Sequence, residues 1–125
     1  MSHRVFFRHL RSHTDELVSP ATYDTVTSYV LGYDAGTGGT ALAGFLEWLA
    51  MKSGRPAAGW PELISELAFD GLAPPKPYTG DEDRVAINAV FYWLDVFLHE
   101  TGEAGQRDVF RRFETWEGER RSRDG

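Results

Sequence analysis

Residues Thr79 to Glu100, TGDEDRVAINAVFYWLDVFLHE, constrain the fold more than any other stretch of this chain. Thr79 and Glu82 stand at the spacing of a capping box, in which each side chain satisfies a backbone N–H that a helix start leaves bare. Val85, Ile87, Val90, Phe91, Leu94, Phe97 and Leu98 recur at helical spacing, and Tyr92 and Trp93 widen the apolar surface beyond one stripe. The pattern predicts a helix over residues 80–100, apolar on nearly every side, which a soluble chain must surround with neighbours. The fold class that follows is all-α, a compact bundle of about five to six helices around a central apolar helix.

The other helices are read from their starts, stops and periods. The first covers roughly His3 to His13, with Phe6, Phe7 and Leu10 on one side and Arg4, Arg8 and Arg11 on another. Ser19 fits an N-cap, Pro20 the first helical position, and Val18 a staple onto Tyr23. Tyr23, Val26, Val30 and Tyr33 then follow in period, and Gly32 reads as a stop. After a glycine-rich loop come Leu42, Phe45, Leu46, Trp48 and Leu49, ended by Gly54 and Pro56. Pro61 opens a helix bearing Leu63, Ile64 and Leu67, closed by Gly71. Pro74, Pro75 and Pro77 make residues 71–80 an extended connection. Gly102 and Gly105 break the chain before a last amphipathic helix with Val109, Phe110, Phe113 and Trp116. The expected organisation is one helical domain over residues 1–118 and a disordered, solvated tail over 119–125.

Composition narrows the function classes. A chain of 125 residues, 42% hydrophobic and with no cysteine, has enough sequence for one core and no thiolate chemistry. No N-terminal run has a signal peptide's apolar core, and no segment has the length and apolarity of a membrane span, so a cytoplasmic location is expected. The net charge of −6 is uneven. Residues 1–14 hold three arginines and no acid, whereas residues 15–83 hold eleven acids against Lys52, Arg55 and Lys76, a net of −8. An acidic body disfavours nucleic acid and anionic membrane and steers toward basic partners.

Several constellations invite a chemical reading beside a plain one. Asp95 and His99 stand four apart on the long helix, and Asn88 and Tyr92 extend the same polar line. They form a candidate proton-transfer pair or ligand site, or else simply the helix's polar edge, with His99 suited to the C-terminal dipole. His9 and His13, with His3 nearby, have the spacing of a metal clamp but sit among arginines that repel a cation. The loop Tyr33 to Thr40, YDAGTGGT, lacks the lysine and preceding strand of a phosphate loop, although amides at the next helix start suit an anion. No serine lies in a nucleophile elbow. No catalytic residue, metal ligand set or cofactor is assigned. The acids Glu62, Glu66 and Asp70 share one helical face, and Asp81, Glu82 and Asp83 begin the next helix. With Asp34 they make a candidate acidic patch. Trp60 and Trp116 are candidates for an exposed interface anchor.

The succession SYVLGYD, LAGFLEWLAMKSG, GWPELI and AVFYWLDVFLHE, over roughly residues 28–100, resembles small helical proteins of bacteria, some of them regarded as immunity proteins of polymorphic or contact-dependent toxin systems. These motifs record packing and bring no catalytic residues with them. The resemblance implies tight binding of one toxin made by the same cell. The expected function is therefore a non-enzymatic protein-binding module, an immunity protein or antitoxin. Its expected partner is a protein, such as a basic toxin, bound through Asp34, Glu62, Glu66, Asp70, Asp81 and Asp83. The alternative is a small helical ligand- or metal-binding protein or enzyme with its site at Asn88, Tyr92, Asp95 and His99.

Overall fold

A computed structural model describes residues 2–55, 59–102 and 106–124. Every regular element among them is a helix. The order is α1 (His3–Ser12), α2 (Thr14–Leu17), α3 (Tyr23–Gly36), α4 (Phe45–Ser53), α5 (Trp60–Ala68), α6 (Gly80–Thr101) and α7 (Gln106–Asp124). Pro56 and Gly105, expected helix breakers, lie outside the described residues, as does Gly125. No helix among the described residues is long and apolar enough to cross a membrane.

Local chemistry sets most of the boundaries. Ser2 caps α1 by accepting from the Val5 amide at 3.2 Å. The capping box of α6 forms in full: the Glu82 amide donates to Thr79 Oγ1 at 3.1 Å, and the Thr79 amide donates to Glu82 Oε1 at 2.8 Å. Pro61 enters α5 in its first turn, where no amide is needed. Gly54 ends α4 with φ +70°, a conformation that side chains resist.

Several expectations need correction. The second long helix starts not at Ser19 and Pro20 but at Tyr23, because Thr22 and Thr25 cap it reciprocally. Val18 is buried in the core, yet it is not the residue preceding that cap. Gly32 is not a stop: α3 continues to Gly36, and the chain turns only at Gly38 and Gly39, both in the left-handed region. The long helix is also less apolar all round than its composition implies. Ala86, Val90, Phe91, Leu94 and Phe97 are buried, while Val85 is 47% and Tyr92 55% exposed. Apolar residue type permits burial without requiring it.

The core forms where α6 meets α1, α3, α4 and α5. Phe45 packs on Trp60 and Phe97 at ring separations of 5.5 and 5.1 Å, and Trp48 sits 5.5 Å from Phe97. Trp60 is therefore a core residue at 6% exposure rather than an exposed anchor; Trp116 is half-buried on α7 beside Phe113. α7 packs against α4, with Val109 buried, and its helix runs on past Gly118 to Asp124. Residues 72–79, which carry the prolines, form neither helix nor strand. This segment lies against the bundle through Tyr78, whose ring meets Tyr23 at 5.9 Å and Phe69 at 5.7 Å.

Candidate functional site

The polar edge of α6 separates into distinct places. Asp95 faces α1, where arginines one helical turn apart converge on it. Its Oδ1 accepts from Arg4 Nε at 2.9 Å and Arg8 Nε at 3.2 Å, and its Oδ2 accepts from Arg4 Nη2 at 3.3 Å. The hydrogen bond from Arg4 outweighs desolvation and, with Arg8, holds the Asp95 carboxyl below its ordinary range. The same bond raises the Arg4 guanidinium. His99 Nδ1 lies 3.2 Å from Arg4 Nη1. A guanidinium only donates, so Nδ1 accepts and the ring proton sits on Nε2. Asp95 and His99 thus share Arg4 and make no hydrogen bond to each other. Tyr92 is exposed, its ring edge-on to Trp93 at 5.1 Å. Asn88 borders a different recess, with Thr14, Ala21 and Arg84. No hydrogen bond or recess among the described residues joins all four.

The other histidines are likewise dispersed. His3 Nδ1 is 2.9 Å from the Tyr33 hydroxyl. The His9 and His13 rings lie 4.4 Å apart, and His13 Nδ1 donates to the His9 carbonyl at 3.0 Å. Among the described residues no group of three or more His, Asp or Glu side chains is placed to hold a metal ion. In the glycine loop the Thr37, Gly38 and Gly39 amides donate to carbonyls of Tyr33, Asp34 and Ala35, so they are not available to an anion.

The six acids assigned to the partner surface play different parts. Asp34 Oδ1 accepts from the Leu42 amide at 2.8 Å and ties the glycine loop. Asp83 Oδ1 accepts from the Tyr23 amide at 2.8 Å, joining the start of α6 to the start of α3. Both carboxylates therefore serve the fold. Asp81 pairs with Arg84 at 3.2 Å, and Glu66 with Arg55 at 3.6 Å. Glu62 and Asp70 are exposed, and their carboxylates make no ion pair or side-chain hydrogen bond among the described residues.

One cluster has no counterpart in the sequence analysis. Lys76 Nζ meets Asp24 Oδ1 at 2.6 Å and lies 5.7 and 5.6 Å from the Tyr23 and Tyr78 ring centres. The hydrogen bond to Asp24 raises the Lys76 ammonium. Tyr23, whose hydroxyl donates to the Pro61 carbonyl, is raised further still, chiefly by burial. Two recesses share Tyr23, Asp24 and Lys76, one of about 160 Å³ toward Tyr78 and one of about 330 Å³ toward Glu62 and Leu31. A lysine in an aromatic–proline segment would mark this cluster only if its acid, 52 residues earlier, were known.

These features define a protein that is all-helical among its described residues, with two charged clusters, Arg4–Arg8–Asp95 and Asp24–Lys76, bordering surface recesses. No protein-family model, no curated protein and no solved structure matches the chain.

Proposed function

We propose that this chain is a non-enzymatic protein-binding module that inhibits a basic partner protein, as an immunity protein or antitoxin does with a toxin of the same cell. In this reading α6 is the central strut of the bundle, and the working surface lies at the end of α5. The observation that carries it is Leu72, 85% exposed, two residues beyond Asp70 and next to a stretch stiffened by Pro74 and Pro75. An apolar anchor beside carboxylates suits an interface in which charge steers the encounter and a buried side chain holds the complex. Asp70 supplies charge outside any ion pair at that end, Glu66 shares its own with Arg55, and Glu62, in the first turn of α5, extends the acidic face along the helix. Asp34 and Asp83 support the bundle instead. Asp81 lies on the rim, paired with Arg84. The reading places the encounter in the cytoplasm.

The test is capture from the native host with tagged protein, read by mass spectrometry, followed by the same capture with the Glu62→Lys/Asp70→Lys/Leu72→Ala variant. One stoichiometric partner should be recovered by the parent chain and lost by the variant, with both retaining the same helical circular dichroism. Undiminished capture by the folded variant would sink this surface. Recovery of no partner under conditions of full expression would sink the role.

A further inference from the structure

Between α1 and α6 the surface opens into a recess of about 200 Å³. Its polar lining is Arg4, Arg8 and Arg11 from α1 with Asp95 from α6, and its apolar lining is Phe7, Phe91 and Leu98. Three guanidinium groups against one carboxylate leave two positive charges in excess, in a chain whose net charge is −6. The donor accounting is as uneven as the charge. Arg4 spends Nε and Nη2 on Asp95 and Nη1 on His99. Arg8 spends only Nε, leaving both Nη groups without a protein acceptor among the described residues. The Arg11 guanidinium makes no ion pair or hydrogen bond among them.

We propose that this recess binds a small organic oxyanion, a phosphate monoester or carboxylate carried on a short apolar body. Arg8 and Arg11 supply unspent N–H donors, in the planar fork that matches such an oxyanion. Asp95 orders Arg4 and Arg8 without cancelling the charge of the wall, so part of the ordering cost is met before a ligand arrives. Phe7, Phe91 and Leu98 offer an apolar lining to the ligand's body. The size bears on the class. Drug-sized ligands occupy pockets of about 300–1,000 Å³, so this recess of about 200 Å³ suits one ring or a short acyl chain with one anionic head. The sign of the charge also reverses the metal alternative for Asp95 and His99, because a cation would be repelled here. The inference stands independently of the protein-binding reading, which uses another face.

The test is titration of the full chain at low ionic strength with phenyl phosphate, phenylacetate and inorganic phosphate, followed by calorimetry and amide NMR. Phenyl phosphate or phenylacetate should bind with Kd of about 0.1–1 mM and weaken as salt is added. The tighter of the two tells which oxyanion the recess takes. Inorganic phosphate should bind at least about fivefold more weakly, since it leaves the apolar lining uncovered. Arg11→Gln, an exposed change that α1 tolerates, should weaken binding about tenfold. Asp95→Asn releases Arg4 and Arg8 but adds positive charge to the wall, so it should retain oxyanion binding, the opposite of what a cation site would show. The proposal is overturned by an absence of binding up to about 10 mM, by affinity unchanged in Arg11→Gln, or by inorganic phosphate binding as well as its phenyl ester. If Asp95→Asn fails to fold, Arg11→Gln and the phosphate comparison still decide the matter.

Discussion

Asp70 occupies a backbone position that normally belongs to glycine. It follows the end of α5 with φ +53°, and the next amide, Gly71, reaches back to the Glu66 carbonyl at 2.7 Å. This is the Schellman closure, whose left-handed residue carries a steric cost for any side chain. Replacing Asp70 with glycine should raise stability by about 0.5–1 kcal/mol, measured as a higher urea midpoint with unchanged slope. A lower midpoint would refute the cap account. If the carboxylate is kept for binding, the same variant should bind the partner more weakly, so stability and affinity move in opposite directions. Asp95 yields a pH prediction. Its carboxyl is depressed by Arg4 first and Arg8 second, so it stabilises the fold fully above the ordinary unfolded carboxylate pKa of about 4 and loses that contribution as pH falls through its lower folded value. Glu100, depressed mainly by Lys52, adds to the same acid limb. Melting temperature should fall below about pH 4, and Asp95→Asn should flatten part of that fall. An acid limb of unchanged steepness in this variant would remove Asp95 from the account.

At the scale of elements, the neighbours Asp81 and Asp83 should behave oppositely although both sit in the first turn of α6. Asp83→Ala strips the Tyr23 amide of its acceptor at the start of α3 and should cost about 1–3 kcal/mol. Asp81→Ala removes a surface pair with Arg84 and should change stability by less than about 0.5 kcal/mol. Equal costs in chemical denaturation would show that α6 does not hold α3 through this carboxylate. The contrast also marks what a sequence reveals. The helix from Gly80 to Thr101 was legible because its cap partners lie three residues apart and its apolar period is long. Pro61 and Gly54 were legible for similarly local reasons. The start of α3 was not, since Ser19–Pro20 satisfies the same template as Thr22, and only the reciprocal hydroxyl of Thr25 decides between them. The four residues of α2 are too few to show a period. Asp34 and Asp83 read as surface acids because their partners are backbone amides, which leave no mark in a side-chain pattern. The arginines of α1 and Asp95 were each visible, but their meeting spans 91 residues.

The whole molecule joins a dense aromatic core to a surface of divided charge. Phe97, fully buried against Phe45 and Trp48, lies where α4 and α6 meet, and Phe97→Ala should cost about 3–5 kcal/mol. That is a large share of the roughly 5–15 kcal/mol available to a domain, so this variant should show a much lower denaturation midpoint. The surface bears on kinetics instead. Positive charge gathers in the α1–α6 recess, while Glu62 in the first turn of α5 and Asp70 just beyond its end carry negative charge outside any ion pair. For a basic partner approaching the α5 end, unpaired exposed charge acts during diffusion, whereas an apolar anchor acts only once water has been expelled. The two contributions are therefore separable by rate. With the captured partner in hand, Glu62→Lys/Asp70→Lys should lower the association rate about tenfold at low ionic strength and flatten its dependence on salt. Leu72→Ala should leave that rate within about twofold and raise the dissociation rate about tenfold or more. Stopped-flow association and surface-immobilised dissociation measure the two constants. If Leu72→Ala instead slows association and charge reversal leaves it unchanged, the division of labour at the end of α5 is wrong, and the partner meets the bundle elsewhere.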